Sequence, residues 1–253
     1  MSKMNDNPAD HPVALVTGGA IRVGAAIVRE LAARGYHVAI HANSSLNHAQ
    51  ELANELTGAG HTAAAFGADL RDEDATRAMV DRVRRHFGRL DALVNSASAW
   101  SPTPLADVMA DDVRRFFEVN TLSTFICCQH AGQIMIEQPQ GGAIVNIGDW
   151  AVERPYRNFS AYFASKGAIP TLTRTFAVEL APKVRVNAVR PGPVLLPESV
   201  SEADRRRAIA GTLLGRAGRP ENIAHAVAAL LENDFITGVC LPVDGGRTLG
   251  ETS

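Results

Sequence analysis

Short apolar runs alternate with longer segments carrying apolar residues at helical spacing along the whole chain, and this alternation restricts the fold more than any other feature. A strand covered on both faces by crossover helices reads as a continuous apolar run, not as an alternating one. Such runs predict strands at 13–17, 36–41, 61–66, 90–95, 141–148, 183–190 and 238–243. The segments between them, 23–34, 46–60, 72–87, 107–137, 160–181 and 221–233, predict helices. The expected fold is therefore α/β: a single-domain, doubly wound, Rossmann-like parallel sheet of about seven strands with helices on both faces. No compositional break divides 12–249, and the polar stretch 1–11 is expected to be a disordered arm. The least regular part is 194–218, where a loop-plus-helix insertion would suit a substrate lid.

Composition narrows the function. Of 253 residues, 46% are hydrophobic and 21% charged, enough for a sizeable core. A net charge of -2 argues against nucleic acid or a polybasic membrane contact. The Arg runs at 84–85 and 205–207 are short and flanked by acids. Cys127, Cys128 and Cys240 match neither a disulfide framework nor a zinc spacing, so no metal is expected and a reducing cytoplasm fits. The N-terminus lacks the apolar segment of an export signal, and no apolar run reaches the ~18 residues of a membrane span.

Ligands of an open parallel sheet bind beyond the carboxyl ends of its strands. The stretch TGGAIRVG, Thr17–Gly24, follows the first strand and opens a helix, so Gly18, Val23 and Gly24 offer backbone N–H groups and the positive helix end to a diphosphate. The second strand ends in HANSS with no acid to take a ribose 2'-hydroxyl. Arg22 with Asn43, Ser44 and Ser45 instead suits a 2'-phosphate, which favours NADP(H). Asp69, followed by Leu70, could reach an adenine amino group or could cap the helix of DEDATRAMV. The fourth strand ends in NSAS, where Asn95, Ala97 and Ser98 would let a cofactor pass close to the backbone.

After the fifth strand come IVNIGDW and SAYFASKGA. Tyr162 and Lys166 stand four apart and share a helix face. A cation beside a phenol favours the phenolate, which lowers the phenol's pKa and suits it to proton transfer.

In this order and at these separations, TGGAIRVG, NSAS, Asn120 in FEVNTLSTF, YFASK, PGP at 191–193 and VDGG at 243–246 make the chain resemble a short-chain dehydrogenase/reductase over essentially its whole length. The resemblance implies hydride transfer from a nicotinamide, with Tyr162 delivering the proton and Lys166 holding the ribose and tuning Tyr162. It also implies a water anchored by Asn120, cofactor contacts at Pro191 and Gly192, and a homotetramer with the 107–137 and 160–181 helices at an interface.

The departures carry more information. Asp149 stands thirteen residues before Tyr162, where the family usually has a serine. An ionised aspartate has no donor for a carbonyl oxygen, but it can accept from ring N–H or amino groups and relay protons. Arg22 in the glycine loop, Asp149 in the serine slot and SASAWSPTPL together resemble the pteridine and dihydromonapterin reductases. That likeness implies a pterin or dihydropterin substrate bound by Arg22, Ser98, Trp100, Asp149 and Tyr162, with Trp100 as a stacking platform. Trp100 could instead pack a lid, and Asp149 could cap a turn. Ser44 stands where that branch often carries an arginine, and Ser96 replaces the second asparagine of the usual segment. The alternatives are reduction of a carbonyl substrate, such as an oxoacyl, sugar or quinone, and a non-catalytic NADP(H)-binding redox sensor.

Overall fold

The computed structural model describes residues 11–196 and 200–250. Val13–Thr17 (β1), five buried residues, is the third strand across a seven-stranded sheet. His37–Ala42 (β2) and Ala63–Gly67 (β3) extend it on one side. Ala92–Asn95 (β4), Gly142–Ile147 (β5), Val184–Pro191 (β6) and Cys240–Val243 (β7) extend it on the other. The order is β3-β2-β1-β4-β5-β6-β7 and every pairing is parallel. The chain reverses direction across the sheet between β1 and β4, the switch point at which such sheets bind ligands.

Successive strand residues face opposite sides, so β1 sends Val16 into one core and Leu15 into the other. The first core is closed by Arg22–Ala33 (α1), Leu46–Gly58 (α2) and Pro220–Glu232 (α8). The second is closed by Glu73–Phe87 (α3), Ser123–Glu137 (α5) and Ser160–Glu179 (α6). The predicted strands and helices are present, with ends moved by one to a few residues.

One segment differs from expectation. The helix expected over 107–137 is three pieces: Ala110–Phe117 (α4), a π-turn at Glu118–Leu122, and α5. The wider turn surrounds buried Asn120, whose bonds to other segments pull it inward. In the lid region, Val194 bridges Gly218 and a helix runs over Glu202–Ala210 (α7). Residues 197–199, within the segment expected to be a lid, lie outside the described residues, as does the N-terminal arm apart from His11. No helix among the described residues is long and apolar enough to cross a membrane.

Candidate active site

The glycine loop is a cradle that only glycine can form. Gly18 has φ +61, and a Cβ there would meet the Ala97 backbone at 2.8 Å; a Cβ on Gly24 would fall 2.1 Å from the Gly18 carbonyl oxygen. The first turn of α1 has no acidic side chain, and Ile21 at its N-cap makes no side-chain cap bond. Its N–H groups are thus left for an outside anion.

Arg22 departs from a surface helix residue in an unforeseen way. Its φ is +56, a region costly for a side chain bearing a Cβ. Its Nη2 donates to the Leu195 carbonyl at 2.6 Å, and Leu195 is itself left-handed at φ +49. The arginine therefore ties the loop after β1 to the segment that follows β6.

Buried His41 lies beneath the loop. The Gly18 N–H meets its Nδ1 at 3.2 Å, and its Nε2 faces the Ala68 carbonyl at 3.1 Å. Burial holds its pKa below the ordinary value, so the neutral ring acts as a fixed spacer between β1 and the end of β3. The sequence signal was only its place before Ala42 in HANSS.

The acid at the end of β3 is neutralised. Arg71 donates to both carboxylate oxygens of Asp69, at 3.0 and 2.5 Å, and Asn43 adds a side-chain bond, which together lower the Asp69 pKa. Helix α3 is capped by Asp72, which accepts from the Ala75 N–H at 3.0 Å, so Asp69 is free of the capping role and Leu70 beside it is buried. Asn43 and Ser44 are exposed and Ser45 partly so, at the edge of this cluster.

Beyond β4, the Thr17 hydroxyl accepts from the Ser96 and Ala97 N–H groups at 3.0 and 3.1 Å. The Asn95 side chain turns inward, donating to Asn146 Oδ1 at 2.9 Å and toward Cys128. Its side chain therefore braces β4 against β5. At the end of β6, Gly192 packs so closely on Asp244 that a Cβ would come within 2.5 Å of its Cα. Asp244 closes the C-terminal turn by accepting from Gly246 and Thr248.

Asn120 is a structural hub. Its Oδ1 accepts from the Ala99 N–H at 2.8 Å and the Ser98 hydroxyl at 3.2 Å, while its Nδ2 donates to the Ala99 carbonyl and Ser165 Oγ at 3.1 and 3.0 Å. Both ends of the side chain are thus used by protein, joining the loop after β4 to α6.

The chemical centre lies where the turn after β5 meets α6. The buried Tyr162 hydroxyl donates to Asp149 Oδ2 at 2.7 Å, and Asp149 Oδ1 accepts from the Ala151 N–H at 2.8 Å. Asp149 therefore caps the single 3-10 turn Trp150–Val152 and bonds Tyr162 as well; the two roles are not exclusive. Lys166, also buried, donates from Nζ to the Ile147 carbonyl at 2.9 Å.

One electrostatic expectation is reversed. The Tyr162 phenol is pushed well above its ordinary pKa, first by burial and then by the negative charge of Asp149, with a bond from Ser98 working weakly the other way. Lys166 is turned to the Ile147 carbonyl, its own pKa is brought down by burial to about 8, and its charge acts on Asp149. Burial likewise raises the Asp149 carboxyl. The centre thus sets the Tyr162 phenol against the Asp149 carboxyl, with the Lys166 amine close by.

An aromatic wall borders this centre. Trp100 stacks on Phe159 with ring centres 4.8 Å apart, and its indole N–H reaches the Tyr156 hydroxyl. Tyr156 continues the wall to Trp150, over which the Arg247 guanidinium lies at 5.1 Å. Trp100 remains 38% exposed. Tyr156 and Phe159 lie more than fifty residues from Trp100, and nothing in the sequence pattern marks them as its partners. Among the described residues, no group of three or more His, Cys, Asp or Glu gathers as a metal site.

Comparison with known proteins places this geometry. A family model described as enoyl-(acyl carrier protein) reductase matches residues 19–248. The solved structure of FolM alternative dihydrofolate reductase 1 from Brucella suis, in complex with NADP, is similar with a TM-score of 0.89 and 35% identity over 98% of each chain. The cis-4-hydroxycyclohexanecarboxylate dehydrogenase of Sinomonas cyclohexanicum is 38% identical over 93% of this chain and 96% of its own. A human 3-oxoacyl-[acyl-carrier-protein] reductase is 35% identical over 94% of this chain and 98% of its own.

Proposed function

The chain belongs to the short-chain dehydrogenase/reductase family, and within it we propose that the protein is an NADPH-dependent reductase of a pterin or dihydropterin C=N bond. The observation that carries this reading is Asp149 bonded to the Tyr162 hydroxyl at 2.7 Å. A carbonyl oxygen in this corner would meet one donor, Tyr162, and a carboxylate that repels it. A pterin edge presents a ring nitrogen for the phenol proton beside N–H and amino groups for the carboxylate. Trp100 supplies a face on which such a ring can stack. The likeness to a FolM alternative dihydrofolate reductase points the same way. The competing carbonyl reading draws support from the hydroxycyclohexanecarboxylate dehydrogenase and oxoacyl reductase relatives.

NADP(H) fits the residues present. The uncapped α1 N-terminus and the Gly18–Gly24 cradle suit a diphosphate, Asn43, Ser44 and Ser45 suit a 2'-phosphate where the nearby Asp69 is already neutralised by Arg71, and Arg22 would join them by leaving the Leu195 carbonyl. When bound, the cofactor supplies the hydride. Tyr162 holds the proton for the substrate nitrogen, Asp149 orients the ring and relays a proton taken from solvent water back to Tyr162, Lys166 contributes its charge, and Trp100 fixes the ring plane. A structure with NADP and a pterin analogue should find the ring against Trp100 with its amino edge on Asp149. A ring seated elsewhere would overturn this arrangement.

Arg22→Gly relieves a left-handed side chain but also removes its bond to the Leu195 carbonyl, so the free protein's stability should change by less than about 1 kcal/mol in a denaturant titration. NADPH affinity should fall about tenfold with the charged donor gone. Lys166 sets an expected pH dependence. It is charged below about 8 and neutral above it, so kcat/KM should decline as pH rises through that value. A profile flat from pH 7 to 9 would show that the Lys166 charge does not assist the reaction.

Half-exposed Phe117, Leu122 and Phe125 line an apolar groove with Leu172, supporting a tetramer in which the α4–α5 and α6 faces pair between copies. Sizing chromatography tests it, and a monomer would refute it.

A further inference from the structure

The turn that presents Asp149 is secured unequally on its two sides. Toward the chemical centre, Asp149 is held by Tyr162 and by the Ala151 N–H. Behind it, the turn borders a cavity of about 530 Å³ lined by Val152, Glu153, Gly167, Arg174, Arg190 and Cys240 among others. The turn's Glu153 end therefore stands at the edge of that groove.

What crosses the gap is an ion pair. Glu153 is the residue that ends the Trp150–Val152 turn, its N–H donating to the Trp150 carbonyl. Its carboxylate takes Nη1 of Arg190, which is only 9% exposed. Arg190 stands on β6 directly before Pro191 and Gly192, and its stem packs on the turn's other end, where a Cβ on Gly148 would lie 3.3 Å from Arg190 Cγ. Arg190 thus touches both ends of the segment carrying Asp149, and Glu153 is the only ion-pair partner it has among the described residues.

We infer that Arg190 and Glu153 are positioning residues that hold the Asp149 turn, and hence the Asp149–Tyr162 bond, in register with the loop after β6. This rests on the joint action of Asp149 and Tyr162 in the proposed reaction. The pair acts through geometry and touches no reacting atom. Loosening it lets the turn move into the cavity, lengthens the Tyr162–Asp149 contact and admits water to both groups. The charged and titratable groups facing Asp149 are Tyr162, Lys166 and Tyr156, and those facing the ion pair include Arg174 and Cys240.

The test uses Glu153→Ala, Glu153→Gln and Arg190→Met. Each is assayed as a ratio to wild type, on whichever substrate the wild type reduces, with amide exchange of residues 148–153 followed in the same samples. Glu153→Ala should lower kcat about 10- to 100-fold while the NADPH KM stays within about twofold. The limbs of its kcat–pH profile should shift, and exchange over 148–153 should quicken. Glu153→Gln, which keeps an acceptor, should recover most of the rate. Because Glu153 is half exposed, Glu153→Ala remains informative even if Arg190→Met does not fold. A Glu153→Ala enzyme with wild-type kcat and an unmoved pH profile would overturn the inference, as would faster exchange with no kinetic change. Absence of pterin turnover in the wild type is a separate result, bearing only on the substrate.

Discussion

Tyr162→Phe should lower kcat for the physiological reduction by about 10²–10⁴-fold, the span expected when a positioned general acid is lost. Affinity for NADPH, read by fluorescence titration, should change less than about threefold, because the hydroxyl is needed for proton delivery and not for cofactor binding. The substitution keeps the ring that packs on Phe116, Phe159 and Phe163, so the fold should survive. Stability should drop by about 1 kcal/mol from the lost bond to buried Asp149. An enzyme retaining a tenth or more of its turnover would refute proton delivery by Tyr162.

Asp149→Asn should be nearly as severe, lowering pterin turnover by about 10²-fold. The amide oxygen can still accept from the Ala151 N–H, so the turn should remain capped. What disappears is the charge that receives the substrate's N–H groups and returns protons to Tyr162. That charge also helps hold the phenol above its ordinary range, so the phenol in Asp149→Asn should ionise closer to about 10. Spectroscopic titration of wild type, Asp149→Asn and Tyr162→Phe would separate its signal from the two other tyrosines. Unchanged pterin turnover in Asp149→Asn would show that the aspartate is only a turn cap.

Apolar runs made the sheet legible because burial of parallel strands on both faces leaves a continuous mark, as in VALVT. Tyr162, Lys166, Asp149 and the glycine loop were legible because each follows a strand end or shares one helix face. What escaped depends on contacts between distant segments. The π-turn at Asn120 arises from its bonds to Ala99 and Ser165, which no local spacing encodes. The left-handed Arg22 breaks a backbone preference, and its partner Leu195 lies 173 residues away. The direction of the Tyr162 shift runs against its helical spacing from Lys166, because three-dimensional burial and Asp149 decide the balance. Asp69 needed Arg71 to be neutralised, and the Trp100 wall needed Tyr156 and Phe159; neither follows from a motif.

The central claim is that Asp149 and Tyr162 together serve a ring C=N bond. Its most direct test is steady-state oxidation of NADPH by the wild-type protein against a panel holding dihydrobiopterin, dihydromonapterin, an oxoacyl thioester and simple ketones. Saturable turnover of a dihydropterin, with ketones slower by about 10²-fold or more in kcat/KM, is the predicted result. Turnover of a ketone or oxoacyl thioester with no oxidation by any pterin would contradict it.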